Sequence, residues 1–150
     1  MFSTPTPVFD VSSLGGSDNL GNLPEWDLND LYKGPEDPKI EQDMVWLQGE
    51  CASFASDYEG KLDTLDADDM LRCIQRNEKI SAVAGRIMSF AGLRYYQLTT
   101  DSDRTKFLSD VQEKITVFTT PLVFFTLELN RLSKDALNNL FDAYAELARY

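Results

Sequence analysis

The sequence predicts an all-α domain, a bundle of four or five helices of which several are long. Apolar residues recur at intervals of three and four along most of the chain, the spacing that places them on one face of a helix. Proline and glycine stand where such rows begin or end, and no alternating segment is long enough to predict a sheet. With 150 residues and 43% hydrophobic content, the chain can form one domain with a core.

A flexible leader is expected over residues 1–23, followed by the helical domain over 24–150. The leader consists mainly of small and polar residues, and its few apolar residues cannot offset the entropy lost on ordering. The segment 24–32 is interpreted as an anchor, in which burial of Trp26 holds the end of the leader against the helices.

The first helix is expected to begin after Asp37, which can cap free backbone amides, with Pro38 in the first helical position and Gly60 as its end. One face should be core and the opposite face should be solvated. The predicted core face consists of Ile40, Met44, Leu47, Cys51, Phe54 and Tyr58.

A second helix should run from the capping residue Asp66 to about Leu98, either unbroken or interrupted at 76–78. Small residues along it are interpreted as sites of close helix packing. The predicted core stripe is Met70, Ile74, Ile80, Ala84, Ile87, Ala91, Tyr95 and Leu98, and the small residues are Ala82, Ala84, Gly85, Ala91 and Gly92.

The third helix should follow the polar connector 99–103 and carry the most regular apolar row of the chain. Pro121 lies within this row and should kink or restart the helix. Ser133 is expected to cap a last helix that continues to Tyr150. The row of the third helix is Phe107, Val111, Ile115, Phe118, Leu122, Phe125, Leu129 and Leu132, and that of the last is Leu137, Leu140, Tyr144 and Leu147.

Composition excludes several function classes. The formal net charge of -11 disfavours binding to nucleic acid and to anionic membranes. Histidine is absent, so the chain cannot form a Ser-His or Cys-His pair or an imidazole metal site. Cys51 and Cys73 lie within apolar helical patterns and are interpreted as buried core residues of a reducing cytosol. No signal sequence is recognised, and cytoplasmic residence is expected.

The remaining polar clusters have structural explanations. The acidic residues Asp66, Asp68, Asp69, Asp101 and Asp103 could bind a hard cation, but capping and the helix dipole account for them. Glu128 and Asn130 are the polar residues most expected to be partly buried, with Arg94, Arg104 or Arg131 as partners.

Arg94 with Tyr95 and Tyr96 could line a peptide-binding wall. The favoured alternative is that Tyr95 packs in the core and Tyr96 faces solvent.

Five phrases of this sequence, in order, resemble the amino-terminal region of oligoendopeptidase F-type zinc metallopeptidases, relatives of thimet oligopeptidase. The resemblance covers about 26–132. The phrases are Trp-Asp-Leu-Asn-Asp-Leu-Tyr at 26–32, Tyr-Glu-Gly-Lys-Leu at 58–62, Ser-Phe-Ala-Gly-Leu at 89–93 leading to Thr-Thr-Asp at 99–101, Asp-Val-Gln-Glu at 110–113, and Phe-Phe-Thr-Leu-Glu-Leu-Asn at 124–130 with Arg-Leu at 131–132.

The resemblance implies a mainly helical protein with a deep channel that admits short peptides and excludes folded proteins. In such enzymes a His-Glu-x-x-His helix and a further carboxylate hold zinc, and the glutamate activates water. This chain contains none of these histidines, so we assign no catalytic, cofactor-binding or metal-binding residue to it. The resemblance implies that this chain is the non-catalytic helical wall or lid domain, cut off before the catalytic domain. The longer parent protein would bind the zinc and the oligopeptide substrates.

Two alternatives remain open at this stage. A free-standing helical module that binds a partner helix along an apolar groove explains the helical rows equally well. A family member that has lost catalysis and retained this domain for regulation explains the phrases. If the domain is part of a longer chain, its exposed apolar surface also makes self-association a reasonable hypothesis.

Overall fold

The computed structural model describes residues 26–143, and this part of the chain is all-α. The leader predicted over 1–23 and residues 144–150, over which the last helix is predicted to continue, lie outside the described residues. No strand occurs between 26 and 143. The helices are α1 (Pro38–Tyr58), α2 (Ala67–Gln97), α3 (Ser102–Thr119), α4 (Val123–Leu129) and α5 (Lys134–Ala143), with short 3-10 turns at Leu62–Thr64 and Thr120–Leu122.

The helix starts follow the predicted caps. Asp37 accepts hydrogen bonds from the amides of Lys33 and Lys39, which hold the pKa of its carboxyl below the ordinary value. Asp66, Asp101 and Ser133 cap α2, α3 and α5 in the same way, each accepting from amides of the first turn. Each of these caps is local in sequence, which is why the pattern predicted them.

The first helix ends as predicted. α1 stops at Tyr58, and Gly60 follows with a φ of 75°. That left-handed conformation is strained for residues with a Cβ, so glycine suits the point where the chain leaves the helix.

Helix α2 is unbroken over its 31 residues, about 45 Å long. The interruption considered near 76–78 does not occur. Arg76, which lies there, pairs with Glu50 and Asp57 of α1 at 2.8 Å each, and its guanidinium stacks on the rings of Phe54 and Tyr58. Contacts between helices therefore stabilise the polar patch within α2.

Pro121 interrupts the apolar row of the third helix, as predicted, and divides it between α3 and α4. A 3-10 turn has three residues per turn, so it shifts the phase of the row that follows. Val111, Ile115 and Phe125 are buried, but the other members of the row are only half-buried. Phe124, which was not in the row, is buried beside Phe125. The prediction of one continuous helix face is therefore wrong across the turn.

The core lies between α1, α2 and α3, with α4 closing one end. Phe54 is its centre, with no exposed surface and with ring contacts to Tyr58, Phe124 and Phe125. The buried residues are Tyr32, Ile40, Met44, Leu47, Cys51, Phe54, Leu62, Met70, Leu71, Cys73, Ile80, Ala84, Ile87, Phe90, Ala91, Val111, Ile115, Phe124 and Phe125.

The anchor at 26–32 uses a different aromatic residue from the one predicted. Trp26 is 58% exposed, whereas Tyr32 is only 2% exposed and contacts the Phe90 ring edge-on at 5.3 Å. Trp26 is fixed through its backbone, because its carbonyl accepts a hydrogen bond from Gln97. The turn at 28–32 carries Tyr32 into the groove between α1 and α2.

Three residues that were predicted to pack along the second helix are exposed instead. Leu98 is exposed, because it follows the end of α2 at Gln97 and leaves the helical row. Ala84 and Ala91 are buried at helix contacts as expected, but Ala82 and Gly85 face solvent, so close packing does not explain those two.

Candidate functional site

Glu128 joins two segments that lie far apart in the sequence. Its carboxylate accepts hydrogen bonds from the backbone amide of Gly60 at 2.7 Å and from that of Leu62 at 3.4 Å. The prediction that Glu128 is partly buried is confirmed, but its predicted arginine partners are wrong, and Asn130 is exposed. Because the chain leaves α1 at Gly60, backbone amides there are free for the carboxylate. The two amides lie 68 and 66 positions before Glu128, so the sequence pattern around Glu128 does not identify them as its partners.

Replacement of Glu128 by alanine is expected to lower the free energy of unfolding by about 1–3 kcal/mol, because it removes a charged acceptor from the exposed amide of Gly60 and the partly buried amide of Leu62. Glu128→Gln should cost less, since one amide oxygen can still accept. Urea denaturation followed by circular dichroism measures both. Glu113→Ala, at an exposed position of α3, is the matched control. Equal stability of the Glu128 and Glu113 alanine variants would contradict the role given to this carboxylate.

Two ion-pair clusters join α1 to α2 and to the segment that contains Tyr32. Arg86 of α2 donates to Asp43 of α1 at 2.7 Å and to the Tyr32 hydroxyl at 3.0 Å, and that hydroxyl donates to Asp43 at 2.6 Å. Burial and the hydrogen bond to Asp43 raise the pKa of Tyr32 to about 12. In the other cluster, Arg76 holds the pKa of Asp57 below its ordinary value. Both clusters join structural elements, and their charged groups are paired with one another.

An apolar groove lies between the first half of α2 and helix α5. It encloses about 250 Å³ and is lined by Met70, Ile74, Leu129, Asn130, Leu132, Leu137, Leu140 and Phe141, which together we call the α2–α5 groove. Helix α5 has no fully buried residue between Lys134 and Ala143, and Phe141 is 39% exposed. The apolar face of α5 is therefore only half covered by the rest of the described domain.

A second cavity of about 380 Å³ adjoins the groove, since Leu132 lines both. Its wall combines the charged residues Asp63, Glu128 and Arg131 with the apolar residues Leu132 and Ala136. The groove and this cavity together combine an apolar surface with charged neighbours. They are the best candidate for a binding surface.

The other sequence candidates do not form a catalytic site. The acidic residues at the starts of α2 and α3 act as caps or lie in first turns, and Asp69 also pairs with Arg72. Tyr96 is exposed, as favoured, but Tyr95 is only half-buried and does not join the core, and the Arg94 guanidinium lies over the Phe107 ring. No wall for peptides forms there.

Cys51 and Cys73 are buried, and both are free thiols. Burial raises the pKa of Cys51 to about 11 and that of Cys73 to about 12, which opposes formation of the reactive thiolate. Their interpretation as core residues is confirmed.

Between 26 and 143 no group of three or more histidine, cysteine, aspartate or glutamate side chains is placed to hold a metal ion. Histidine, which zinc enzymes of the resembled family use, is absent from the whole sequence. In the same range, none of the helices has the length and apolar character needed to cross a membrane.

Comparison with known proteins yields no assignment: no family model, curated protein or solved structure gives a significant match to this chain.

Proposed function

We propose that this chain is the amino-terminal helical domain of an oligoendopeptidase F-type zinc metallopeptidase, and that it forms part of the wall or lid of a peptide channel. Within this proposal the domain selects substrates by size and does not cleave bonds. Zinc and the water-activating glutamate belong to a catalytic part that lies later in the protein, and the substrates are cytoplasmic oligopeptides.

The supporting observation is that the phrases which resemble the family contact one another in the fold. Tyr32, the last residue of the first phrase, packs on Phe90 of the third. Glu128, in the final phrase, accepts from the amides of Gly60 and Leu62 in the second. These contacts join residues 58 to 68 positions apart. Phrases that stabilise one fold are expected to occur together in a family, whereas chance similarities would be scattered over unrelated surface positions.

The isolated chain is expected to show no peptidase activity, with or without added zinc. Its melting temperature should also stay unchanged when zinc is added, because the described residues offer no zinc-binding group. A quenched fluorescent peptide library reports cleavage, and differential scanning calorimetry reports stability, with EDTA-treated protein as the control. Zinc-dependent turnover that persists through purification would overturn the assignment of this chain as non-catalytic.

The assignment to a longer enzyme is tested by the coding sequence after Tyr150. An in-frame His-Glu-x-x-His motif downstream is the expected result. The same full-length protein should then cleave short peptides but not folded proteins. A stop codon directly after Tyr150 would contradict the proposal and leave the binding alternatives.

The second candidate function is a helical interaction module, either independent or retained by a family member without catalysis. The observation that favours it is the half-covered apolar face of α5 beside the α2–α5 groove. Such a surface suits a partner helix equally well when no catalytic domain is present. The downstream sequence separates this module from the enzyme domain.

A further inference from the structure

We propose that the α2–α5 groove binds a basic amphipathic helix presented by another protein. The apolar face of that helix would enter the groove, and its lysine or arginine residues would lie along the acidic connector between α1 and α2. This inference rests on the second candidate function, the helical interaction module, and names the chemistry of its partner.

The apolar half of the surface is already arranged for a helix. Leu137 and Phe141 lie one turn apart on α5 and face Met70 and Ile74, which lie one turn apart on α2. A groove bordered by two helices accepts apolar side chains of a third at the same spacing. Phe141 is the most exposed of these four residues and would gain most from being covered.

The acidic half adjoins it. Between residues 57 and 69 the chain carries six acidic side chains and one lysine. Lys61 donates to the carbonyls of Ser56 and Asp57 at the end of α1, so its charge is directed at the helix terminus. Arg76 and Arg72 pair with Asp57 and Asp69. The acidic residues of the segment outside these ion pairs are Glu59, Asp63, Asp66 and Asp68.

The two halves are continuous. Leu132 lines both the groove and the neighbouring cavity, and Asp63 lies in the wall of that cavity. Arg131 and Lys134 are the basic residues at the same end. Since the connector contains more acids than these two cations can balance, a cationic partner gains attraction across most of the surface.

The charge also argues against the other occupants. Two copies of this chain, each with a net charge of -11, would repel one another on pairing. An anionic membrane or nucleic acid would be repelled for the same reason. A helix with lysines or arginines beside its apolar face satisfies both the groove and the connector.

The test uses a fluorescein-labelled synthetic helix of 18 residues with leucine on one face and lysine elsewhere. Fluorescence anisotropy with the full chain should detect binding. A glutamate-for-lysine version and a scrambled lysine–leucine version should bind at least about tenfold more weakly, because each loses one of the two complementary features. Added salt should weaken binding of the lysine helix.

Variants of the chain locate the site. Phe141→Ala should weaken binding by about five- to tenfold, since it removes an apolar wall of the groove. Asp63→Asn should weaken it by about two- to threefold at low salt. The matched controls are Val45→Ala, exposed on α1, and Glu113→Gln, exposed on α3, and neither should change it. Circular dichroism confirms that each variant is folded.

Several outcomes would overturn the proposal. Equal binding of the glutamate helix, or binding unaffected by Phe141→Ala and Asp63→Asn, would show that this surface does not recognise the peptide. A dimer in sedimentation that Phe141→Ala dissociates would make a second copy the occupant. Binding that requires removal of residues 1–23 would make the start of the chain the occupant.

Discussion

Replacing Phe54 by alanine is expected to lower the free energy of unfolding by about 3–5 kcal/mol, the range typical of a fully buried phenylalanine. Its side chain is 0% exposed, and its ring lies 4.9 Å from that of Tyr58, 5.7 Å from that of Phe125 and 5.9 Å from that of Phe124, centroid to centroid. The Arg76 guanidinium covers it at 5.7 Å. Alanine would leave a cavity where α1, α2 and α4 meet. Domains of this size are commonly stable by only about 5–15 kcal/mol, so the loss should be large.

Urea denaturation monitored by circular dichroism measures the effect. Phe54→Leu keeps most of the apolar volume and should lower the free energy of unfolding clearly less. It keeps the prediction testable if the alanine variant does not fold. Val45→Ala is the control on the same helix, because Val45 is exposed and should change stability by no more than about 0.5 kcal/mol. A Phe54→Ala variant as stable as Val45→Ala would show that α4 does not pack on α1 as described.

Substitutions of Tyr32 are expected to have the second large effect on the free energy of unfolding. Two variants distinguish the contribution of ring packing from that of the hydroxyl's hydrogen bonds. Tyr32→Ala should cost about 3–5 kcal/mol, since the ring is buried against Phe90. Tyr32→Phe keeps the ring and removes only the hydroxyl that joins Asp43 and Arg86, so about 1–2 kcal/mol is expected. Chemical denaturation at pH 7 measures both variants. The exposed Trp26 supplies the control, because Trp26→Ala should cost much less than Tyr32→Ala despite the larger side chain.

The Tyr32 hydroxyl should also make the domain sensitive to alkali. In the unfolded chain a tyrosine ionises near pH 10, whereas in the fold burial and Asp43 raise the pKa of Tyr32 to about 12. The stabilisation is therefore complete below pH 10 and is lost as the pH rises from 10 to 12. Tyr32→Phe should show a shallower decline over this range. Cys51 and Cys73 titrate in both proteins, so their effect cancels in the comparison. Identical pH profiles would contradict the shifted pKa.

Prediction from sequence succeeded where the determinants are local. A cap such as Asp37 or Asp66 bonds to amides two or three residues away, and Pro121 disrupts its own turn, so a short window contains the whole cause. The buried rows of α1 and of most of α2 follow from helical spacing for the same reason. The predicted apolar row across Pro121 was wrong because the 3-10 turn rotates the apolar face of the helix that follows it. The spacing of apolar residues does not reveal that rotation.

The sequence by itself determined the all-α class, the helix starts and the central core residues of this protein. Only the tertiary structure decided that Tyr32 is buried in place of Trp26, that Glu128 bonds to the amides of Gly60 and Leu62, and that an apolar groove remains open beside α5. The physical reason is distance along the chain. Helix formation depends on neighbours within a few positions, whereas these features depend on groups from 54 to 68 positions apart that meet only when the helices pack.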